Sequence, residues 1–206
     1  MTSEHEKRCI QRTLNGDVNA FEELVRSYEK NVYHLALRIL GSPEDAEDAT
    51  QEVFLKAYRS LSRFQNDSKF SVWLYRIVTN QCTDMLRARK RRPVQSLTVQ
   101  NEDEEEDTLP IPDERFSPEK LLDSKLTRES VQRGLASLSD DARQILLLRE
   151  MRGLSYEEIG SLLGLEPGTV KSRIFRARKK LCVFLMQDGN LPDSFSSKNQ
   201  EGGRTP

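Results

Sequence analysis

At 206 residues, 36% apolar and 32% charged, the chain fits one or two small domains with modest cores and much solvated surface. It has no apolar run of bilayer length and no signal-peptide pattern, and its three cysteines show no CxxC or Cys/His spacing, so membrane insertion, a disulfide framework, a cofactor and a metal site are not expected. The net charge of −1 hides a division: residues 1–93 carry +3, 94–124 carry −8 and 125–186 carry +5, which makes two basic bodies on an acidic strap and suits a polyanionic partner.

The first body reads as helices. Phe21, Leu24, Val25, Tyr28, Val32, Leu35, Ala36 and Ile39 recur at spacings of three and four, one helical face, and Gly41 ends that helix. Ser42-Pro43-Glu44-Asp45 supplies an N-cap, a proline at the first helical position and first-turn acids for the next. Ala46, Ala49, Val53, Ala57 and Leu61 form its inward stripe. Glu44, Asp48, Gln51, Glu52 and Leu55 share the opposite face. A protein partner would use such an acidic face with an exposed leucine; a plain solvated face, with Glu52 and Lys56 as an ordinary helical pair, accounts for it as well.

The stretch "KFSVWLYRIVTNQCTDMLRARKRR", Lys69 to Arg92, opens on three aromatics and closes on basic residues. On a helix from about Ser71 to Arg87, Tyr75, Val78, Cys82, Met85 and Leu86 share one face, and Arg76, Asn80, Thr83 and Arg87 another, with Trp73 at its margin. A buried helix, a membrane-surface helix and a reader of single-stranded nucleic acid all fit in outline. Asn80, Thr83 and Asp84 interrupt the apolar face a membrane would need. Aromatics beside cations suit stacked bases on a tracked backbone, but Phe70, Trp73 and Tyr75 fit a core equally well.

Residues 94–120, with "NEDEEEDTLPIPDE", cannot bury enough apolar surface to fold alone and read as an acidic flexible linker. Residues 187–206 read as a disordered polar tail. Between them, residues 121–186 hold further helices: "LTRESVQRGLASL", then one opened by Ser139, Asp140 and Asp141 and carrying Ile145, Leu146 and Leu148. No stretch alternates with period two. The expected fold is all-α, two small helical domains.

The most specific pattern is "LSYEEIGSLLGLEPGTVKSRIFRARKKL", residues 154–181. Ser155 and Glu158 have capping-box spacing, Gly164 gives a tight turn, and Pro167 starts a second helix whose inward stripe is Val170, Ile174, Ala177 and Leu181. Thr169, Ser172, Arg173, Arg176 and Lys180 face outward. This is a helix-turn-helix with a cationic recognition face of the kind that enters a major groove. Glu166 is a poor residue for the N-cap it occupies. A response-regulator output domain also ends in such a motif, but the first 93 residues show no alternating strands and helices and no phosphorylation pocket. With only His5 and His34 and no glycine-rich phosphate loop, an enzyme finds no catalytic constellation.

Together these residues resemble the extracytoplasmic-function (ECF) group of bacterial sigma-70 family RNA polymerase sigma factors. "DAEDATQEVFLKAY" resembles their region 2.2, "FQNDSKFSVWLYRIVTNQCTDMLRARKRR" regions 2.3 and 2.4, and "GLSYEEIGSLLGLEPGTVKSRIFRARKKL" region 4.2. The resemblance implies region 2 over 1–93, for polymerase binding, minus-ten recognition and melting, and region 4 over 121–186, for the minus-thirty-five element. Asp48, Gln51, Glu52 and Leu55 would dock on the clamp of the polymerase β′ subunit, with the flap of β as a second contact. Asn66, Ser68, Lys69, Phe70, Trp73, Arg76 and Asn80 would take the minus-ten element and its opened strand. Pro167, Gly168, Thr169, Lys171, Ser172, Arg173, Arg176 and Arg178 would read the minus-thirty-five duplex. It further implies a cytoplasmic initiation factor without catalysis of its own, a stress or envelope response, and an anti-sigma factor that holds it at the inner membrane.

Overall fold

The computed structural model describes residues 3–64, 69–91 and 118–188, and every regular element among them is helical. The first four helices are α1 (Ser3–Leu14), α2 (Val18–Leu40), α3 (Pro43–Ser60), which runs into a 3-10 turn at Leu61–Arg63, and α4 (Phe70–Arg91). After the acidic segment come α5 (Pro118–Ala136), α6 (Asp140–Glu150), α7 (Tyr156–Leu163) and α8 (Pro167–Asp188).

Helix ends follow from local chemistry. The Asp17 carboxylate accepts from the amides of Asn19 and Ala20 at 3.0 and 3.3 Å and starts α2; Gly41, at φ 73°, ends it in the left-handed region. Ser42 accepts from Asp45 N at 3.3 Å to start α3, with Pro43 in the first turn. Side-chain caps of this kind are worth about 1 kcal/mol each. Between the caps, the fully buried Val32, Leu35 and Ile39 of α2 meet Ala46, Ala49, Val53 and Ala57 of α3 and Leu74, Val78 and Cys82 of α4. The alanines of α3 let its backbone approach its neighbours. Burial pushes the Cys82 thiol up to about 12, so it stays protonated and packs as a small apolar group.

In the second half α8 packs on α5, α6 and α7. A methyl group on Gly134 would lie 2.6 Å from Leu181 Cδ1, so glycine lets α5 cross α8 closely without displacing the leucine side chain. Ser139 caps α6, accepting from Ala142 N at 3.4 Å.

The two halves are not separate cores. One buried cluster runs through both, and α6 joins them: Ile145, Leu146, Leu147 and Leu148 are all buried because α6 packs on α8 and also on α2. An amphipathic helix on one core would leave one of four successive positions outside, which is why Leu147 escapes the sequence pattern. Arg143 ties the junction. It donates to the carbonyl of Ile39 at the end of α2 (2.6 Å), and to those of Leu135 and Ala136 at the end of α5 and Leu138 just beyond it (2.9, 3.2 and 3.4 Å). Gln144 donates to Thr83 Oγ1 at 2.9 Å, and Lys90 pairs with Asp140 at 2.6 Å.

Element bounds differ from expectation in three places. α4 continues through its basic end to Arg91; α5 starts at Pro118, inside the expected linker; and α8 reaches Asp188, which accepts from Ser130 and Arg133 at 2.6 Å each. The rest of the linker and the tail beyond 188 lie outside the described residues.

Candidate nucleic-acid interface

The helix-turn-helix is built from α7 and α8. Ser155 accepts from Glu158 N at 3.0 Å while the Glu158 carboxylate accepts from Ser155 N at 2.8 Å, a complete capping box. Gly164, at φ 66°, ends α7. Gly160 matters as much and carries no signal in the pattern: a methyl there would meet the carbonyl oxygen of Leu165 at 2.5 Å, so the turn folds back onto bare backbone. Val170, Ile174 and Ala177 are buried, and this fixes the rotation of α8.

That rotation leaves Pro167, Gly168, Lys171, Ser172, Arg176 and Arg178 exposed and Thr169 and Arg173 half-buried. Arg173, Arg176 and Lys180 border a cleft of about 420 Å³ with Ser139 and Asp141 at the start of α6. Arg178 is elsewhere. It pairs with Glu150 at the end of α6 (2.9 Å from Nε), so the structure does not bring it together with Arg173 and Arg176. Lys180 joins the cleft instead, and its Nζ also donates to Ser137 O at 2.9 Å.

The second cationic face lies on α4. Phe70 is 2% exposed and packs edge-on against Tyr28 and Phe64. In the folded chain it packs within this aromatic cluster and is not exposed on the face that carries Asn80. Trp73 lies over Phe64 and Phe70, 5.4 Å from each ring centroid, and remains half-buried, so one part of the indole is held while another is available. Asn80 is exposed and Arg76 half-buried. Asn66 and Ser68 lie outside the described residues. α7 packs against this face: Lys69 pairs with Glu158 at 3.0 Å, and Arg76 Nη2 donates to Ser161 O at 3.2 Å. Hydrogen bonding from Ser155 N, and secondarily the Lys69 ammonium, hold the Glu158 carboxyl below the usual carboxylate range against a smaller opposing effect of burial.

A third face is not cationic. On α3, Asp48, Gln51 and Leu55 are exposed and Glu52 half-buried. Gln51 and Leu55 border an apolar groove of about 450 Å³ with Val18, Phe21, Phe54 and Tyr58. Val18, Leu55 and Tyr58 are 62%, 50% and 45% exposed, which turns one stray leucine into a continuous apolar strip. Val18 and Tyr58 join it because α2 begins beside the end of α3, a proximity that no single-helix pattern shows.

Comparison with known proteins bears on all three faces. The Sigma-70 region 2 family matches residues 24–92, and the Sigma-70 region 4 family matches residues 128–181. The ECF RNA polymerase sigma-E factor of Escherichia coli K12 is 42% identical over 172 residues, which cover 84% of this chain and 90% of that protein. The chain belongs to the ECF group of sigma-70 family RNA polymerase sigma factors. The RNA polymerase sigma-H factor of Pseudomonas aeruginosa is 38% identical over 182 residues, covering 88% and 94% of the two chains. Among solved structures, CnrH in complex with the cytosolic domain of CnrY superposes with a TM-score of 0.66 at 25% identity, covering 90% of this chain and 99% of that one. The sigma factor RpoE of Bartonella quintana, solved with the anti-sigma factor NepR, shares the fold at a TM-score of 0.61 and 24% identity, covering 81% and 96%. As an ECF sigma factor the protein is a transcription initiation factor whose partners are core RNA polymerase and promoter DNA. No helix among the described residues is long and apolar enough to cross a membrane.

Proposed function

We propose that this sigma factor holds a promoter at two places while a third face docks it on the polymerase. The α8 face, with Thr169, Lys171, Ser172, Arg173 and Arg176 and with Pro167 and Gly168 at its entry, reads the minus-thirty-five element as duplex. Arg178 contributes there only after leaving Glu150. The α4 face, with Lys69, Trp73, Arg76 and Asn80, takes the non-template strand of the minus-ten element, and Asn66 and Ser68 serve the same strand. Asp48, Gln51, Glu52 and Leu55 dock on the clamp of β′, with the flap of β meeting the second half. The observation that carries this reading is the state of Trp73: a ring fixed from beneath by Phe64 and Phe70, still partly open, beside Arg76 on the same helix.

Differential affinity drives the mechanism. The protein performs no covalent step; it binds an unpaired strand better than a paired one and so shifts the duplex toward opening. Unstacking costs a few kcal/mol per step, and a base stacked on an aromatic offsets about 1–3 kcal/mol. A few held bases therefore stabilise a short bubble. The acidic linker mimics nucleic acid within the polymerase. The reading places the protein in the cytoplasm, in a stress or envelope response, under an anti-sigma factor; the likeness to CnrH bound to the cytosolic domain of CnrY supports a protein partner for this fold.

Adding the purified chain to core polymerase and mapping transcripts across the source genome tests the reading. Start sites sharing a two-part promoter are expected, and D48K or E52K should reduce co-purification with core polymerase. Absence of promoter-directed transcripts overturns the proposed mechanism, and full co-purification of both variants returns the α3 face to a merely solvated surface.

A further inference from the structure

α1 lies along α2, and three side chains with different donor atoms converge between them. His5 and Cys9 are four apart on α1 and share a face; Glu23 enters from α2. His5 Nε2 is 3.0 Å from Glu23 Oε2, and Cys9 Sγ is 3.6 Å from both of these atoms. The two carboxylate oxygens have separate roles. Oε1 accepts from Arg12 at 3.3 Å, and Arg12 is itself fixed by Asp17 at 2.7 Å, while Oε2 turns toward the sulfur and the imidazole. Cys9 is 1% exposed, whereas the side chains of His5 and Glu23 are 42% and 40% exposed, so the cluster has a closed floor and an open mouth.

We propose that His5, Cys9 and Glu23 form a binding site for a divalent transition metal of the zinc type. Zinc bonds of about 2.0–2.3 Å to nitrogen, oxygen and sulfur at tetrahedral angles set the ligand atoms roughly 3.3–3.6 Å apart. The triangle of 3.0, 3.6 and 3.6 Å needs a shift of only a few tenths of an ångström on one edge to meet that geometry. A thiolate and an imidazole select zinc-type metals over magnesium or calcium, which take oxygen ligands. Three protein ligands leave the fourth position to water, at the open mouth. Arg12 orients the carboxylate from outside, the service outer-shell groups perform at metal centres.

The expectation of no metal site rested on the absence of CxxC and Cys/His spacings, and it passed over the pair on α1. The i, i+4 placement of His5 and Cys9 was its one local trace, and Glu23 arrives only through helix packing. A metal that binds only the folded chain clips α1 to α2 and stabilises that pairing by an amount that grows with the logarithm of free metal over its dissociation constant.

The full chain, freed of metal with a chelator, is titrated with cobalt(II) as an optical probe. The expected result is one equivalent bound with a near-ultraviolet thiolate-to-metal band and a tetrahedral visible spectrum, both displaced by zinc(II). C9S should abolish the thiolate band; H5Q and E23Q should each weaken affinity by more than the roughly 10–100-fold typical of outer-shell losses. C182S should leave spectrum and affinity unchanged. Each variant's helix content, measured by circular dichroism without metal, shows whether it has folded. A folded C9S that keeps the band, a band that follows Cys182, or a wild-type chain with no thiolate band each overturns the site.

Discussion

The two cationic faces look alike in sequence and stand in different states in the fold. On α8, Arg173 and Arg176 make no ion pair among the described residues and border an open cleft. At the start of α4, Lys69 already holds Glu158, and within α4 Arg76 already donates to α7. The proposed duplex reader is available as folded; the proposed strand reader is engaged by the other half of its own chain. That engagement is weak. Lys69 is 74% exposed in its ion pair, and such pairs contribute about 0–1 kcal/mol. Arg76 Nε is buried without a hydrogen-bond partner among the described residues, and an unmet buried donor costs about 1–3 kcal/mol. Charge counted from a sequence is therefore not charge available to a ligand, and here the two differ by a weak contact within the chain.

The strongest way to break the comparison is to release the halves from each other. R143A removes hydrogen bonds to four carbonyls that close α2 and α5, and bonds from charged donors are worth about 1.5–3 kcal/mol each, though not additively. A loss of about 3 kcal/mol in urea unfolding is expected, with a larger radius in small-angle scattering at low urea. An unchanged radius would show that the apolar contacts of α6, and not Arg143, keep the halves together.

Next comes the α8 face itself. R173A or R176A should weaken holoenzyme binding to an upstream duplex by about 1–3 kcal/mol, or roughly 5–150-fold. R178A should cost less than about 1 kcal/mol, because its guanidinium is occupied by Glu150. Anisotropy titrations on one labelled duplex compare all three. Equal losses would mean that Arg178 leaves Glu150 when DNA arrives.

W73A should reduce strand opening by about 1–3 kcal/mol while leaving closed-complex formation largely intact. W73F is the control for packing, since it keeps a ring over Phe64 and Phe70. Permanganate reactivity of the bubble measures opening, and a pre-melted template should rescue W73A. If both steps fall equally, the indole serves the fold and not the strand.

Much of this was legible in the sequence, for identifiable reasons. Caps at Ser42 and Ser155, glycine ends at Gly41 and Gly164, and the apolar stripes of α2, α3 and α8 all depend on residues within a few positions of one another. What stayed illegible depends on distant segments meeting. Leu147 is buried in a helix that packs on both α2 and α8, Gly160 is required by Leu165, Arg178 is captured by Glu150, and the ring partners of Phe70 are Tyr28 and Phe64. Helical periodicity left Phe70 open between core and strand-binding face, because it cannot register a ring arriving from another helix.

The smallest expected effect tests the α4–α7 contact through pH. Glu158 has a folded pKa below its unfolded value, owing first to the hydrogen bond from Ser155 N and then to Lys69. Its contribution is therefore fully present above the ordinary glutamate value of about 4.3 and is lost as pH falls through the lower folded value. E158Q keeps an acceptor at the third position of the capping box and removes only the charge. The difference in unfolding free energy between wild type and E158Q should be about 0.5 kcal/mol at neutral pH and shrink toward zero in acid. The same variant frees Lys69 at all pH values, so at neutral pH it should bind a single-stranded minus-ten oligonucleotide about twofold more tightly than wild type, within the range set by one exposed ion pair. A stability difference that does not change with pH would mean that the carboxylate charge contributes nothing to the cap or to the Lys69 pair. Unchanged strand affinity would mean that Lys69 is no less available at the start of α4 than Arg173 is on α8.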